Sequence, residues 1–141
     1  MPDAVLDATT TMLGLKRVKT QLDLMPLIRS GLPFTSLERV SKYLEITPLV
    51  MVESLGLAKR TVARRAQEKK LSPSESERLV RLTRVFAEAK NVLGSEEKAR
   101  RWTLKPSRAL AGAIPLSLLD TDIGANAVFE ELGRIEHGVF V

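Results

Sequence analysis

The chain has 141 residues, 44% of them hydrophobic and 28% charged, a formal net charge of +5, no cysteine and one histidine. That length suits one ordinary domain or two small ones, and the composition excludes disulfides, thiolate zinc sites and His-rich metal centres. No apolar run is long enough to span a bilayer, and the opening "MPDAVLDATT" lacks the basic start and apolar core of a secretory leader, so a cytoplasmic protein is expected.

In chain order, residues 1–20 begin small and polar and turn basic, and read as a loose arm. Residues 21–30, "QLDLMPLIRS", read as a short helix broken by Pro26. "TSLE" at 35–38 has the form of a capping box, with Thr35 as cap and Leu37, Val40 and Leu44 following at helical spacing. Thr47 and Pro48 open a further short helix that ends near Gly56. A third helix runs from about Ala58 to Lys70. "SPSE" at 72–75 is the strongest start signal: Ser72 caps, Pro73 takes the first helical position and Glu75 closes the box. Leu79, Leu82, Phe86, Ala89 and Leu93 then give about five turns with one buried stripe.

Gly94 ends that helix and Ser95 caps the next, which carries Ala99 and Trp102; Pro106 stops it. Trp102 reads as core rather than ligand. A loop and a short helix opened by Pro115 follow. Gly112 belongs to no phosphate-binding fingerprint. Thr121 caps the last helix, whose stripe is Ile123, Ala127, Val128, Leu132 and Ile135, with Gly138 as terminator. No alternating strand pattern or internal repeat is present, so the expected fold class is all-α. The expected organisation is an arm and short helix over 1–34, a helix-turn-helix domain with linker helix over 35–94, and a small helical domain over 95–141.

Charge is segregated. Residues 59–70 hold six basic side chains against one acid, Glu68, whereas residues 109–141 hold five acids against one base, Arg134. Such asymmetry points to two surfaces with two partners. Residues 48–70 have the dimensions of a helix-turn-helix: short apolar helix, glycine turn, second helix. On a helical wheel Ala58, Val62, Ala63 and Ala66 gather on one side, expected to face the core. Arg60, Thr61, Arg64 and Gln67 gather on the other. Arginine can donate two bonds to guanine and glutamine can do the same for adenine, so Arg60, Thr61 and Arg64, with Gln67 beside them, form the expected base-reading set. Lys59, Arg65, Lys69 and Lys70 form the expected phosphate set. Ala58 stands where many such helices carry a capping hydroxyl.

The chain ends "EHGVFV", an apolar tail that packs either on its own domain or on a partner; pattern alone favours its own domain. His137 beside Glu136 has no nucleophile motif and no second metal ligand with it. It reads as an interface residue or a cation at a helix C-terminus, with simple exposure as the alternative. No constellation supports an enzyme, and no cofactor is expected.

The stretch 115–141, "PLSLLDTDIGANAVFEELGRIEHGVFV", resembles the toxin-binding domain of Xre/MbcA/ParS-type antitoxins, through its proline-led "PLSLLDT", a following glycine and "LGRIEHGV". Upstream, "LGLAKRTVARRAQEKKLSPSESERLVRLTRVFAEA" (55–89) is similar to the Xre-like helix-turn-helix and linker helix, and "KARRW" (98–102) to the next helix. The loop 107–114, "SRALAGAI", departs from the family's "NPALGG" pattern. The resemblance implies an antitoxin paired with a RES-domain toxin that degrades NAD⁺, dimeric, and repressing its own promoter as operator DNA. It also implies a toxin-facing set: Gly133, Arg134, Ile135, Glu136, His137, Gly138, Val139, Phe140 and Val141. Phe140 and Val139 would enter a pocket as a short plug. The alternative is a stand-alone helix-turn-helix repressor whose C-terminal domain only dimerises.

Overall fold

Pro48 and Pro73 sit at helix starts with Thr47 and Ser72 as caps, and each cap is made: Thr47 Oγ1 accepts from Val50 N at 3.2 Å and Ser72 Oγ from Glu75 N at 3.2 Å. The computed structural model describes residues 1–138, and eight α-helices account for most of them. They are α1 (Asp3–Leu13), α2 (Leu24–Ser30), α3 (Phe34–Leu44), α4 (Pro48–Ser54), α5 (Lys59–Glu68), α6 (Pro73–Leu93), α7 (Glu96–Thr103) and α8 (Asp122–Glu136). Short 3₁₀ turns cover Gln21–Asp23, Arg108–Leu110 and Pro115–Leu118. Among the described residues the fold is all-α; an isolated backbone bridge joins Pro33 and Lys70.

The long helix α6 is the axis. Its stripe of Leu79, Leu82, Val85, Phe86 and Ala89 is wholly buried, and α1, α2, α7 and α8 all pack on it. Burying five such side chains contributes on the order of 1.5–3 kcal/mol for each large one before chain entropy is set against it. The same core takes in Val40 and Leu44 of α3, Met51 and Leu55 around α4, and Val128 and Leu132 of α8.

Three expectations change. Residues 3–13 form a helix, not a loose arm: Val5, Leu6, Met12 and Leu13 are buried on its inner side together with Thr9 and Thr10. Pro26 does not break a helix; it stands in the first turn of α2, where a missing N–H has no intrahelical partner to lose. Thr35 is inside α3 rather than capping it. The start of α3 is instead tied to the chain beyond α5, by Phe34 N donating to Lys69 O at 3.1 Å and Leu71 N to Leu32 O at 2.9 Å.

Candidate functional site

Helices α4 and α5 are joined through Leu55–Ala58, a turn that needs Gly56 at φ +67°, a left-handed conformation costly for other residues. Arg78 on α6 braces this turn: its Nη1 donates to Leu55 O at 3.1 Å and to Gly56 O at 3.3 Å. As expected, Ala58 makes no side-chain cap for α5.

The helix α5 is seated by charge more than by apolar packing. It has no fully buried residue; Thr61, Val62 and Arg65 are half-buried and the rest are exposed. Arg65 Nε lies 2.7 Å from Glu75 Oε1, and Arg65 Nη1 lies 3.0 Å from Glu68 Oε2. Burial works to raise the Glu75 pKa, but the Arg65 guanidinium and the Ser72 amide and hydroxyl outweigh it, so the carboxyl is held below its ordinary range. One carboxylate thus closes the cap of α6 and anchors α5.

This anchor sets the roll of the helix. Of the four residues expected inward, only Val62 is partly covered; Ala58, Ala63 and Ala66 are exposed. The inward arc is Thr61, Arg65 and Val62, and the outward arc centres between Ala63 and Gln67 at 100° per residue. Lys59, Arg60, Arg64 and Gln67 are brought together on or beside that exposed face, with Lys69 at the helix end; Lys70 lies beyond it, its backbone bridged to Pro33 and its side chain beside Gly31. Arg64 also lies 3.8 Å from Glu68. Thr61 sits at the inner edge and the Arg65 guanidinium is occupied, so these two stand apart from the outward cations.

The C-terminal region is pinned to the same axis. Arg81 Nη1 meets Asp122 Oδ1 at 2.6 Å and Arg81 Nε donates to Leu119 O at 3.1 Å. The Arg84 guanidinium lies over Phe129, 5.4 Å from the ring centroid, in cation–π range. Arg78, Arg81 and Arg84 therefore hold three segments from one row of α6 spaced by three residues. The spacing was readable in the sequence; its role was missed because the row flanks an obvious apolar stripe.

In α8, Thr121 Oγ1 accepts from Gly124 N at 3.0 Å, the expected cap. Val128 and Leu132 are buried, and Ala127 and Ile135 partly so, but Ile123 is 85% exposed, on the side away from Ala125 and Val128. Of the expected toxin-facing set, Gly133, Arg134 and Ile135 are half-buried while Glu136, His137 and Gly138 are exposed. Arg134 Nε donates to Glu131 Oε2 at 2.8 Å on its own helix. Gly138, at φ +68°, turns the chain out of α8. Val139, Phe140 and Val141 lie outside the described residues. Among the described residues no group of acidic and histidine side chains could hold a metal ion, and no helix is long and apolar enough to cross a membrane.

Comparison with known proteins places these features in a lineage. A family model described as the antitoxin Xre/MbcA/ParS C-terminal toxin-binding domain matches residues 88–138, and one for the antitoxin Xre-like helix-turn-helix domain matches residues 23–84. An Antitoxin Xre of Photorhabdus laumondii subsp. laumondii is 33% identical over 115 residues, covering 80% of this chain and 78% of that protein. An Antitoxin Xre of Yersinia enterocolitica is 32% identical over 115 residues, with the same coverages of 80% and 78%. A protein of Sphingobium sp. named Prs ADP-ribosylating antitoxin is 28% identical over 129 residues, 84% of this chain and 81% of its own length.

Proposed function

The chain belongs to the Xre antitoxin family, and from that premise we propose that it neutralises a RES-type, NAD⁺-degrading toxin and represses its own promoter. The observation that carries the reading is the match of the toxin-binding family model to 88–138, on a frame that also presents an outward cationic α5. DNA recognition is assigned to residues 35–94 and toxin recognition to 95–141, with α6 serving both.

On DNA, the exposed arc of α5 enters the major groove. Arg60 and Arg64 donate paired bonds to guanine O6 and N7, and Gln67 pairs with adenine. Lys59, Lys69 and Lys70 meet phosphates and orient the helix. Thr61 touches the groove wall from its edge position, and Arg65, engaged by Glu75, acts by fixing the roll of the helix. Operator half-sites related by a two-fold axis would engage a homodimer.

On the toxin, the segment from Gly133 through Val141 docks at the mouth of the NAD⁺ site. Val139 and Phe140 fill the cavity, and Arg134, Glu136 and His137 meet polar groups at its rim. The toxin is inhibited because substrate and plug compete for one space. The name of the Sphingobium relative joins the antitoxin role to ADP-ribosylation, a reaction whose donor is NAD⁺, which agrees with a partner that consumes it.

The test is co-expression with the toxin gene adjacent to this chain's gene, reading cell growth and NAD⁺ content. Full-length chain restores both. Deletion of residues 139–141 leaves binding to promoter DNA intact and loses protection. Equal protection by the truncated chain removes the plug, and restored growth without any complex on co-purification removes toxin binding altogether.

A further inference from the structure

Along α7, Lys98, Arg101 and Trp102 fall within about a 100° arc of the helical wheel, and Lys105 lines the same side from just beyond the helix end. Leu93 at the end of α6 and Pro106 after α7 complete a groove of about 480 Å³ with them. The opposite side of α7 is occupied: Ala99 and Thr103 are buried, and Arg100 donates to Tyr43 O at 2.9 Å and lies 3.4 Å from Glu45. Trp102 was expected in the core. It is half-buried instead, with one side packed on the core and the other lining this groove.

The charge around it is poorly neutralised. Among the described residues Lys98 and Lys105 have no carboxylate within ion-pair distance. Arg101 has Glu97 at 3.0 Å, a pair whose side chains are 56% and 75% exposed and which solvent weakens. A concave, apolar-floored surface carrying tryptophan and arginine has the composition of a protein hot spot. Phosphate contacts need cations alone and no apolar floor. The groove also sits far from the reading helix: α5 is anchored at Glu75 and the groove begins at Leu93, about 27 Å further along α6 at 1.5 Å per residue.

We propose that this groove is a second docking surface for the toxin, taking an acidic segment of that protein that also carries an apolar side chain. The proposal rests on the reading of the chain as a toxin-binding antitoxin. It gives the partner two attachments, an electrostatic one on α7 and the apolar tail beyond α8.

The test uses the full-length chain co-purified with the adjacent toxin. The double variant Lys98→Glu, Lys105→Glu changes two exposed side chains and keeps the fold, checked by an unchanged Tm. It is expected to bind toxin about tenfold more weakly than wild type at low salt, with the difference shrinking as salt rises. Trp102→Phe, which keeps the packing volume better than alanine, is expected to weaken the complex less and without that salt dependence. Toxin affinity of the double variant equal to wild type overturns the proposal. So does an unchanged toxin affinity with a matching loss on promoter DNA, which would make the groove a DNA contact. A wild-type chain that forms no toxin complex overturns instead the functional reading beneath it.

Discussion

Gly124 has no room for a side chain: a Cβ there would overlap the carbonyl oxygen of Leu118, where the 3₁₀ turn Pro115–Leu118 meets the first turn of α8. Because the obstacle is backbone, Gly124→Ala must move one element off the other. The expected cost is about 1–3 kcal/mol of overpacking, read as a lower midpoint in urea at unchanged slope. Arg60 lies at the other extreme, exposed and outside every ion pair found among the described residues. Arg60→Ala is expected to leave Tm unchanged and to cost about 1–3 kcal/mol on a specific site but far less on random duplex. A gel shift with both DNAs checks it; equal losses on the two would make Arg60 a phosphate contact. The exposure of Arg60, Arg64 and Gln67 was legible, because long polar side chains are seldom buried without partners. The exposure of Ala63 and Ala66 was not, since a wheel ranks faces by hydrophobicity and could not foresee that Arg65 and Glu75 would set the roll.

Helix by helix, legibility followed the caps. Ser72, Ser95, Thr47 and Thr121 each accept the expected backbone N–H, and the elements they open were readable from sequence. The helix α1 escaped because Pro2 offers no side-chain cap and "TTT" reads as polar and helix-averse. Its stripe becomes clear once Thr9 and Thr10 count as inward-facing; Thr9 Oγ1 satisfies itself on Val5 O at 2.7 Å, so burying it leaves no orphan donor. The α4–α5 turn depends on an element outside it. Arg78→Ala removes both bonds to the turn carbonyls of Leu55 and Gly56, a loss of about 1.5–3 kcal/mol for bonds from a charged donor. Specific DNA affinity is expected to fall although Arg78 lies on α6, with amide hydrogen exchange rising first over residues 55–58. Weakened DNA binding without faster exchange there would place Arg78 on the DNA instead.

For the whole molecule, the seam between α6 and α8 carries the one carboxyl among the described residues that is clearly pushed upward. Burial raises the Glu88 pKa, Glu136 raises it further, and the Met1 amino group and Arg84 pull back. The sign follows from linkage. A carboxyl with a folded pKa above its unfolded value penalises the native state when ionised. The penalty is absent at pH below the unfolded pKa, grows as pH rises through the raised folded value, and is complete at neutral pH. Glu88→Gln removes it. The expected result is a rise in Tm of about 1–2 °C at pH 7, small because the group keeps some solvent. The two proteins should converge as pH falls and wild-type Glu88 takes up its proton. The residue Glu136 belongs to the proposed toxin-facing segment, so the same repulsion reaches the partner surface: Glu136→Gln should lower the Glu88 pKa towards its ordinary range and shrink the Tm gain from Glu88→Gln. Carboxyl titration followed by NMR reads both shifts. A Glu88 that titrates at its ordinary value in wild type, or is indifferent to Glu136→Gln, would show that the end of α8 is not electrostatically coupled to the central helix.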